Sequence, residues 1–328
     1  MEAKPPQFNL TSDGLHLDGT ILWLDAKKSG DLSFLSSCMP NIDQKGPKLI
    51  ATEITLKMLS GKNQKPKALV CQYNRPFSIG KLKMELLPSG AALGGASLYV
   101  ETGQNSNFLY APQLLGQKNS TARQMQLKEA ETLILRADHP DPTAALPNRK
   151  KEKERLVKAL NQYVEKGIYP VILCKAMPTA QEITNLLSEA QIPVAVHSAI
   201  FRLNHVYEQF GSPLGQYSLH RPRKKRQKVL ILPHLQKGRA KMVVPDGPLF
   251  YIEDKIHETQ APEAFRHVTE RFYIGTSCDG KELKDIIHMV NPKVVYLFGP
   301  YTKRYTQLLE GVGPEIRPLY SNGQPTLF

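Results

Sequence analysis

The chain is short of the residues that build metal centres, redox pairs and membrane spans. It has four cysteines, Cys38, Cys71, Cys174 and Cys278, far apart and in no C-x-x-C. That pattern excludes a disulfide framework and suits a reducing cytosol. The nine histidines are His16, His139, His197, His205, His220, His234, His257, His267 and His288. No two lie within four positions, so no helix or strand carries a local pair of metal ligands. No apolar run reaches the roughly 18 residues of a membrane span. The opening Met1-Glu2-Ala3-Lys4-Pro5-Pro6 lacks the basic-then-apolar order of a secretory leader. The expected location is the cytoplasm, with no membrane role. Several catalytic signatures are missing too: no G-x-x-x-x-G-K-[ST], no G-x-S-x-G and no G-x-G-x-x-G after a strand. Gly90 to Gly95 is glycine-rich but brings neither the lysine nor the helix of a phosphate cradle.

Positive charge, in contrast, is abundant. Lys and Arg number 43 against 30 Asp and Glu, a formal net charge of +13. Arg221, Arg223, Lys224, Lys225, Arg226 and Lys228 crowd into one run just before an apolar strand. Phosphate backbones attract such runs through counterion release, so the expected partner is nucleic acid. Tyr217 and Phe210 flank the run and suit base stacking or plain packing equally. A second cluster, Arg149-Lys150-Lys151-Glu152-Lys153-Glu154-Arg155, mixes in acids and reads mainly as a solvated helix face. The alternative for the strong run is a solubilising loop or a patch for an acidic protein.

At 328 residues the chain is long enough for two lobes. Up to about residue 140, short β-rich runs alternate with Gly and Pro turns, as in Leu82 to Leu87 and Ser97 to Glu101, with a helix from Ala51 to Leu59. A break follows at Asp138-His139-Pro140-Asp141-Pro142. A helix from Lys150 to Lys166, a strand over Tyr169 to Cys174, a helix from Ala180 to Ala190 and a strand over Pro193 to Val196 then predict a parallel α/β unit. Val229 to Leu232 adds a strand to it. The chain is expected to return to the first lobe at about residue 246, through Phe272-Tyr273-Ile274, a helix over Lys281 to Val290 and a strand over Val294 to Leu297.

The order of these motifs resembles the metallo-β-lactamase fold, and most closely the β-CASP nucleases that process DNA and RNA ends. Compact bacterial exonuclease-like members encoded with DNA ligases are the nearest in size. Where that family carries Ser-His-x-His-x-Asp-His, the chain reads Ser36-Ser37-Cys38-Met39-Pro40-Asn41-Ile42, which places Ser37, Met39, Asn41 and Ile42 at the ligand positions. A second family histidine falls at Ala91 of Pro88-Ser89-Gly90-Ala91. The metal-bridging aspartate falls at Gln113 of Tyr110-Ala111-Pro112-Gln113, and the next acidic position at Arg136. The family's Asp-His-Ala-Asp resembles Thr276-Ser277-Cys278-Asp279, and its final His-Gly resembles Phe298-Gly299.

The resemblance implies an α/β protein: a metallo-β-lactamase αββα sandwich over 1–140 and 246–328, with a β-CASP-like cap inserted at 141–245. It also implies a lost two-ion centre, since Ser37, Met39, Asn41, Ile42, Ala91, Gln113, Arg136, Ser277 and Phe298 make a poor ligand set. Ser37, Asn41 and Ser277 read equally as turn residues, and Met39, Ile42 and Phe298 as core fillers. No catalytic residue, metal or cofactor is then expected. The implied function is a pseudoenzyme that binds DNA or RNA, or that scaffolds an active relative, as metal-free members do in messenger-RNA 3′-end cleavage. The alternative is a metal-dependent nuclease with a rebuilt site drawn from Asp138, His139, Asp279 and a cysteine. The cluster Asp138, His139 and Asp141 otherwise reads as an Asp- and Pro-rich turn.

Overall fold

Among the described residues, nineteen short strands and six helices gather into three sheets of mixed or parallel strands. The computed structural model describes residues 5–28, 30–38, 48–59, 67–103, 106–221, 227–234, 245–254 and 267–321. The chain divides into two units. Unit 1 holds Met1–Lys118, Arg123–Ala145 and Cys278–Phe328, and unit 2 holds Asn119–Ala122 and Leu146–Ser277.

Unit 1 opens with a six-stranded sheet: β1 (Phe8–Leu10), β2 (Leu15–Leu17), β3 (Leu22–Leu24), β4 (Leu32–Phe34), β5 (Lys48–Ala51) and β6 (Ala68–Val70), in that order. The first three strands pair antiparallel and the rest parallel. Helix α1 (Glu53–Leu59) follows β5. A second sheet begins with β7 (Phe77–Ile79), β8 (Leu82–Pro88), β9 (Ala96–Thr102), β10 (Ser106–Ala111) and β11 (Thr132–Arg136). β7 to β10 pair antiparallel, and β10 and β11 parallel.

Period-2 alternation decides which side chains meet. Leu82, Met84 and Leu86 of β8 join Leu98, Val100, Phe108 and Tyr110 against Leu15, Leu22, Leu24 and Phe34 of the first sheet in one buried core. On the far side of the first sheet, Leu35, Leu49 and Ala51 pack with Leu56 of α1. The opposite face of the second sheet sends Leu109, Leu133 and Leu135 the other way.

Unit 2 is built on α2 (Arg149–Val164), β12 (Val171–Cys174), α3 (Thr179–Glu189), β13 (Val194–Val196), α4 (Ser198–Gln209), β14 (Ser218–Leu219), β15 (Val229–Pro233), β16 (Leu249–Glu253) and β17 (Glu270–Tyr273). Its six strands run parallel in the order β14-β13-β15-β12-β16-β17. β12 and β15 are buried along their length and read as the continuous apolar runs that a covered parallel sheet requires.

The chain then re-enters unit 1 with α5 (Gly280–Val290), β18 (Val294–Phe298), α6 (Thr302–Leu309) and β19 (Glu315–Pro318). β18 pairs parallel with β11, and β19 parallel with β18. α5 starts in a capping box, with the Asp279 carboxylate accepting from Glu282 N–H and the Glu282 carboxylate from Asp279 N–H. Leu283, Ile286, Ile287 and Val290 of α5, with Tyr305 and Leu309 of α6, cover Leu109, Leu133 and Leu135.

The expected return at residue 246 is corrected to Cys278. β16 pairs with β12, and β17 with β16, so Phe272 and Tyr273 belong to the sheet of unit 2. Their apolar character fits either sheet. Only the parallel pairing assigns them.

Candidate functional site

Five of the nine positions aligned with metal ligands fall at the carboxyl ends of strands in unit 1. Ser37 follows β4, Ala91 follows β8, Gln113 follows β10, Arg136 ends β11 and Phe298 ends β18. β8, β10, β11 and β18 point the same way, so their ends share one edge of the second sheet. The Ser36 carbonyl accepts from Ala96 N–H at 2.7 Å, which ties the end of β4 to the same edge. Met39, Asn41 and Ile42 lie outside the described residues, as do Arg223, Lys224, Lys225 and Arg226. Ser277 sits partly exposed between β17 and α5.

At the centre of this edge stands Asp25, which the sequence reading passed over. It adopts a left-handed conformation at φ +54°, just after β3. Its carboxylate accepts from Ser36 N–H at 2.8 Å, Ser36 Oγ at 2.7 Å and Tyr110 Oη at 2.8 Å. Burial pushes the carboxyl above its ordinary range, while the Ser36 and Tyr110 donors and the nearby Arg136 guanidinium pull it back. Tyr110 is raised well above its ordinary value, mostly by burial and the adjacent Asp25 charge, so it remains a donor. Its ring stacks on Phe298 at 6.0 Å and 18°, and meets Phe34 edge-on at 6.2 Å. A polar residue closing the apolar strand Leu22-Trp23-Leu24 was the signal for Asp25.

Around this centre the remaining groups are committed to structure. Arg136 Nε pairs with Asp138 Oδ1 at 3.0 Å. His139 is buried, with Nδ1 2.9 Å from the Asp141 carbonyl, while the Asp141 carboxylate accepts from Thr143 N–H and Oγ1. The Cys278 thiol donates to the Leu114 carbonyl at 3.2 Å, and burial pushes it up to about 12. Cys38 is likewise raised by burial, to about 11. Neither is an activated thiolate at neutral pH. Gly90 is held at φ +81°, where a Cβ would lie 2.2 Å from the Leu115 carbonyl oxygen. The glycine of that turn therefore answers to backbone packing.

These residues do not fit the two-ion centre of the resembled family. Ala91 and Phe298 offer no donor atom, Ser37 a neutral hydroxyl, Gln113 an amide and Arg136 a permanent cation. Phe298 and Ser37 are buried, and Phe298 stacks on Tyr110. Among the described residues, no group of three or more His, Cys, Asp and Glu side chains is placed to hold a metal ion. A recess of about 630 Å³ in unit 1 lies at the opposite end, lined by turn residues such as Gly19, Thr20, Gly80, Lys81 and Gly103.

No family model matches the chain. A curated relative described as a probable DNA ligase, from Opitutus terrae, is 22% identical over 311 residues, covering 93% of this chain and 30% of the relative. The chain thus spans less than a third of the length of that relative. Among solved structures, a protein of unknown function from Enterococcus faecalis V583 superposes with a TM-score of 0.61 at 14% identity, over 89% of this chain and 80% of that one. That likeness is one of fold. Among the described residues no helix is long and apolar enough to cross a membrane.

Proposed function

We propose that the chain is a non-hydrolytic nucleic-acid-binding protein of the metallo-β-lactamase and β-CASP type, acting beside enzymes that process or join nucleic-acid ends. The observation that carries this is the edge of unit 1 where Ala91, Gln113, Arg136 and Phe298 occupy strand ends and Asp25, Tyr110 and Phe298 interlock. A hydrolase of that architecture needs about four donors converging on each ion to activate water. Here an arginine and a stacked aromatic pair stand in their place. The layering of unit 1 supports the architecture, with α1 outside the first sheet, a shared core between the two sheets, and α5 and α6 outside the second. Likeness to part of a probable DNA ligase, together with the net charge of +13, supports the nucleic-acid context.

Three measurements test this function. Metal analysis of protein purified without chelators is expected to find well below one zinc or manganese per chain. Incubation with DNA and RNA ends across added Zn, Mn and Mg is expected to leave them intact. Two bound ions per chain with end-dependent hydrolysis would instead establish the rebuilt nuclease. Binding to DNA or RNA that weakens steeply with salt is the positive expectation.

A further inference from the structure

In unit 2, we propose that the carboxyl edge of the parallel sheet is a binding site for the phosphodiester backbone of a nucleic-acid strand; this rests on the nucleic-acid role above and gives it a location. All six strands run the same way, so their carboxyl ends form one edge. Ligands of open α/β sheets bind outside that edge, where neighbouring connections leave in opposite directions. Here the chain leaves β12 toward β13 on one side, and leaves β16 toward β17 on the other.

The side chains at this edge follow a pattern that no single motif announces. Each of four adjacent strands is followed directly by an imidazole or a cation: β14 by His220 and Arg221, β13 by His197, β15 by His234 and β12 by Lys175. Backbone hydrogen bonds hold them in a row. His220 N–H donates to Val196 O at 2.9 Å, His197 N–H to Ile231 O at 3.0 Å, and His234 N–H to Cys174 O at 2.8 Å. With strands about 4.8 Å apart, the row extends for about 14 Å, long enough to meet more than one phosphate.

Three further features favour a nucleic-acid strand. Helix α4 begins directly after His197, so its amino end faces this edge and its dipole favours anions. His197 accepts from Ala199 N–H at 3.2 Å, and Arg202 in the next turn is exposed and adds a cation. His234 lies flat on Tyr251, with rings 4.8 Å apart and 7° from parallel, a platform of the kind on which bases stack. Arg221, the first residue of the basic run, leaves the sheet here and is exposed. Among the described residues the carboxylates at this edge are Glu253, which ends β16, and Asp254 after it, paired with Arg271 at 2.8 Å and Lys175 at 2.9 Å. Arg202 and Arg221 add positive charge beyond these two ion pairs.

The test is fluorescence anisotropy with labelled 20-nucleotide single-stranded DNA, with RNA of the same sequence and with duplex DNA as parallel arms, between 50 and 300 mM salt. The variants are Arg202→Ala with Arg221→Ala, and separately His234→Ala, with far-UV circular dichroism to confirm folding. Losing two phosphate contacts is expected to flatten the slope of log affinity against log salt by about 1.4 on a single strand. Arg221→Lys is expected to keep the slope, since a point charge satisfies a phosphate. His234→Ala is expected to weaken binding at every salt concentration with little change of slope, because it removes a stacking surface. If the folded double variant binds with unchanged affinity and slope while neutralising Arg223 to Arg226 abolishes binding, the edge is not the site, although the nucleic-acid role stands. If the native protein binds none of the three nucleic acids at 50 mM salt, both fall.

Discussion

The substitution Tyr110→Phe isolates one hydroxyl at the filled edge of unit 1. The ring would keep its stack on Phe298 and its edge contact with Phe34, so apolar packing is unchanged. What is lost is the 2.8 Å donor to Asp25, leaving that carboxylate with the two donors of Ser36. A hydrogen bond to a charged group contributes about 1.5–3 kcal/mol, so the variant is expected to lose about that much stability at pH 7. The pH dependence carries a sign. Asp25 is already raised by burial, and the Tyr110 donor lowers it, so deleting the donor raises it further. The variant carboxyl takes up its proton at higher pH than the native one does. The difference in stability is therefore largest where both carboxyls are ionised and shrinks as pH falls through the two raised folded-state values. Urea unfolding followed by the fluorescence of Trp23, the sole tryptophan, which stacks on His16 in the first sheet, reads this directly. A loss below about 0.5 kcal/mol at pH 7, or a loss that does not shrink on acidification, would refute the account of Asp25 as a buried, structurally clamped carboxylate.

Restoring one ligand with Ala91→His is expected to yield no hydrolysis of DNA or RNA with added zinc or manganese. It should also cost about 1–3 kcal/mol of stability, because Ala91 is buried beside a tight turn. Replacing Arg223, Lys224, Lys225 and Arg226 together by glutamine is expected to weaken nucleic-acid binding and its salt dependence, with unfolding shifted by less than about 0.5 kcal/mol per site. Burial holds His197 and His234 below 6.5, so the unfolded chain binds more protons beneath that value. Their contribution is complete above pH 6.5 and is lost as pH falls below it. Unfolding free energies at pH 7.5 and 5.5 should differ accordingly, and His234→Gln should narrow the difference.

Where apolar periodicity was strong, the sequence was informative. The helix predicted over Lys150 to Lys166 is α2, capped by Asn148, and the strands predicted at Leu82 to Leu87 and Val294 to Leu297 are β8 and β18. Helix α4 went unpredicted because its buried stripe is broken by Asn204, which is fully buried and accepts from Gln181 Nε2 at 3.0 Å. A polar pair across two helices cannot be read from one strand of text. Phe272-Tyr273-Ile274 was assigned to the first lobe but β17 pairs in unit 2, since sheet membership depends on pairing partners far away in the chain. At the candidate site the degenerate positions were legible, but their clamp was not. Asp25 lies in sequence far from Tyr110, and only folding brings them to 2.8 Å. The row of His220, His197, His234 and Lys175 was invisible for the same reason, since each is an isolated residue after a short apolar run.

The pairing of β11 with β18 sets the order in which the molecule is completed. These strands are direct parallel neighbours, yet the long segment Leu146–Ser277 of unit 2 is synthesised between them. Until the ribosome has passed Phe298, the nascent second sheet keeps the backbone of β11 open along one side, and until it has passed Val290 no α5 covers Leu133 and Leu135. An unpaired apolar edge is a template for aggregation. Unit 2, whose strands all derive from one continuous stretch after Leu146, can close first. A truncation ending anywhere inside unit 2 should leave the amino-terminal half dependent on chaperones rather than free-standing.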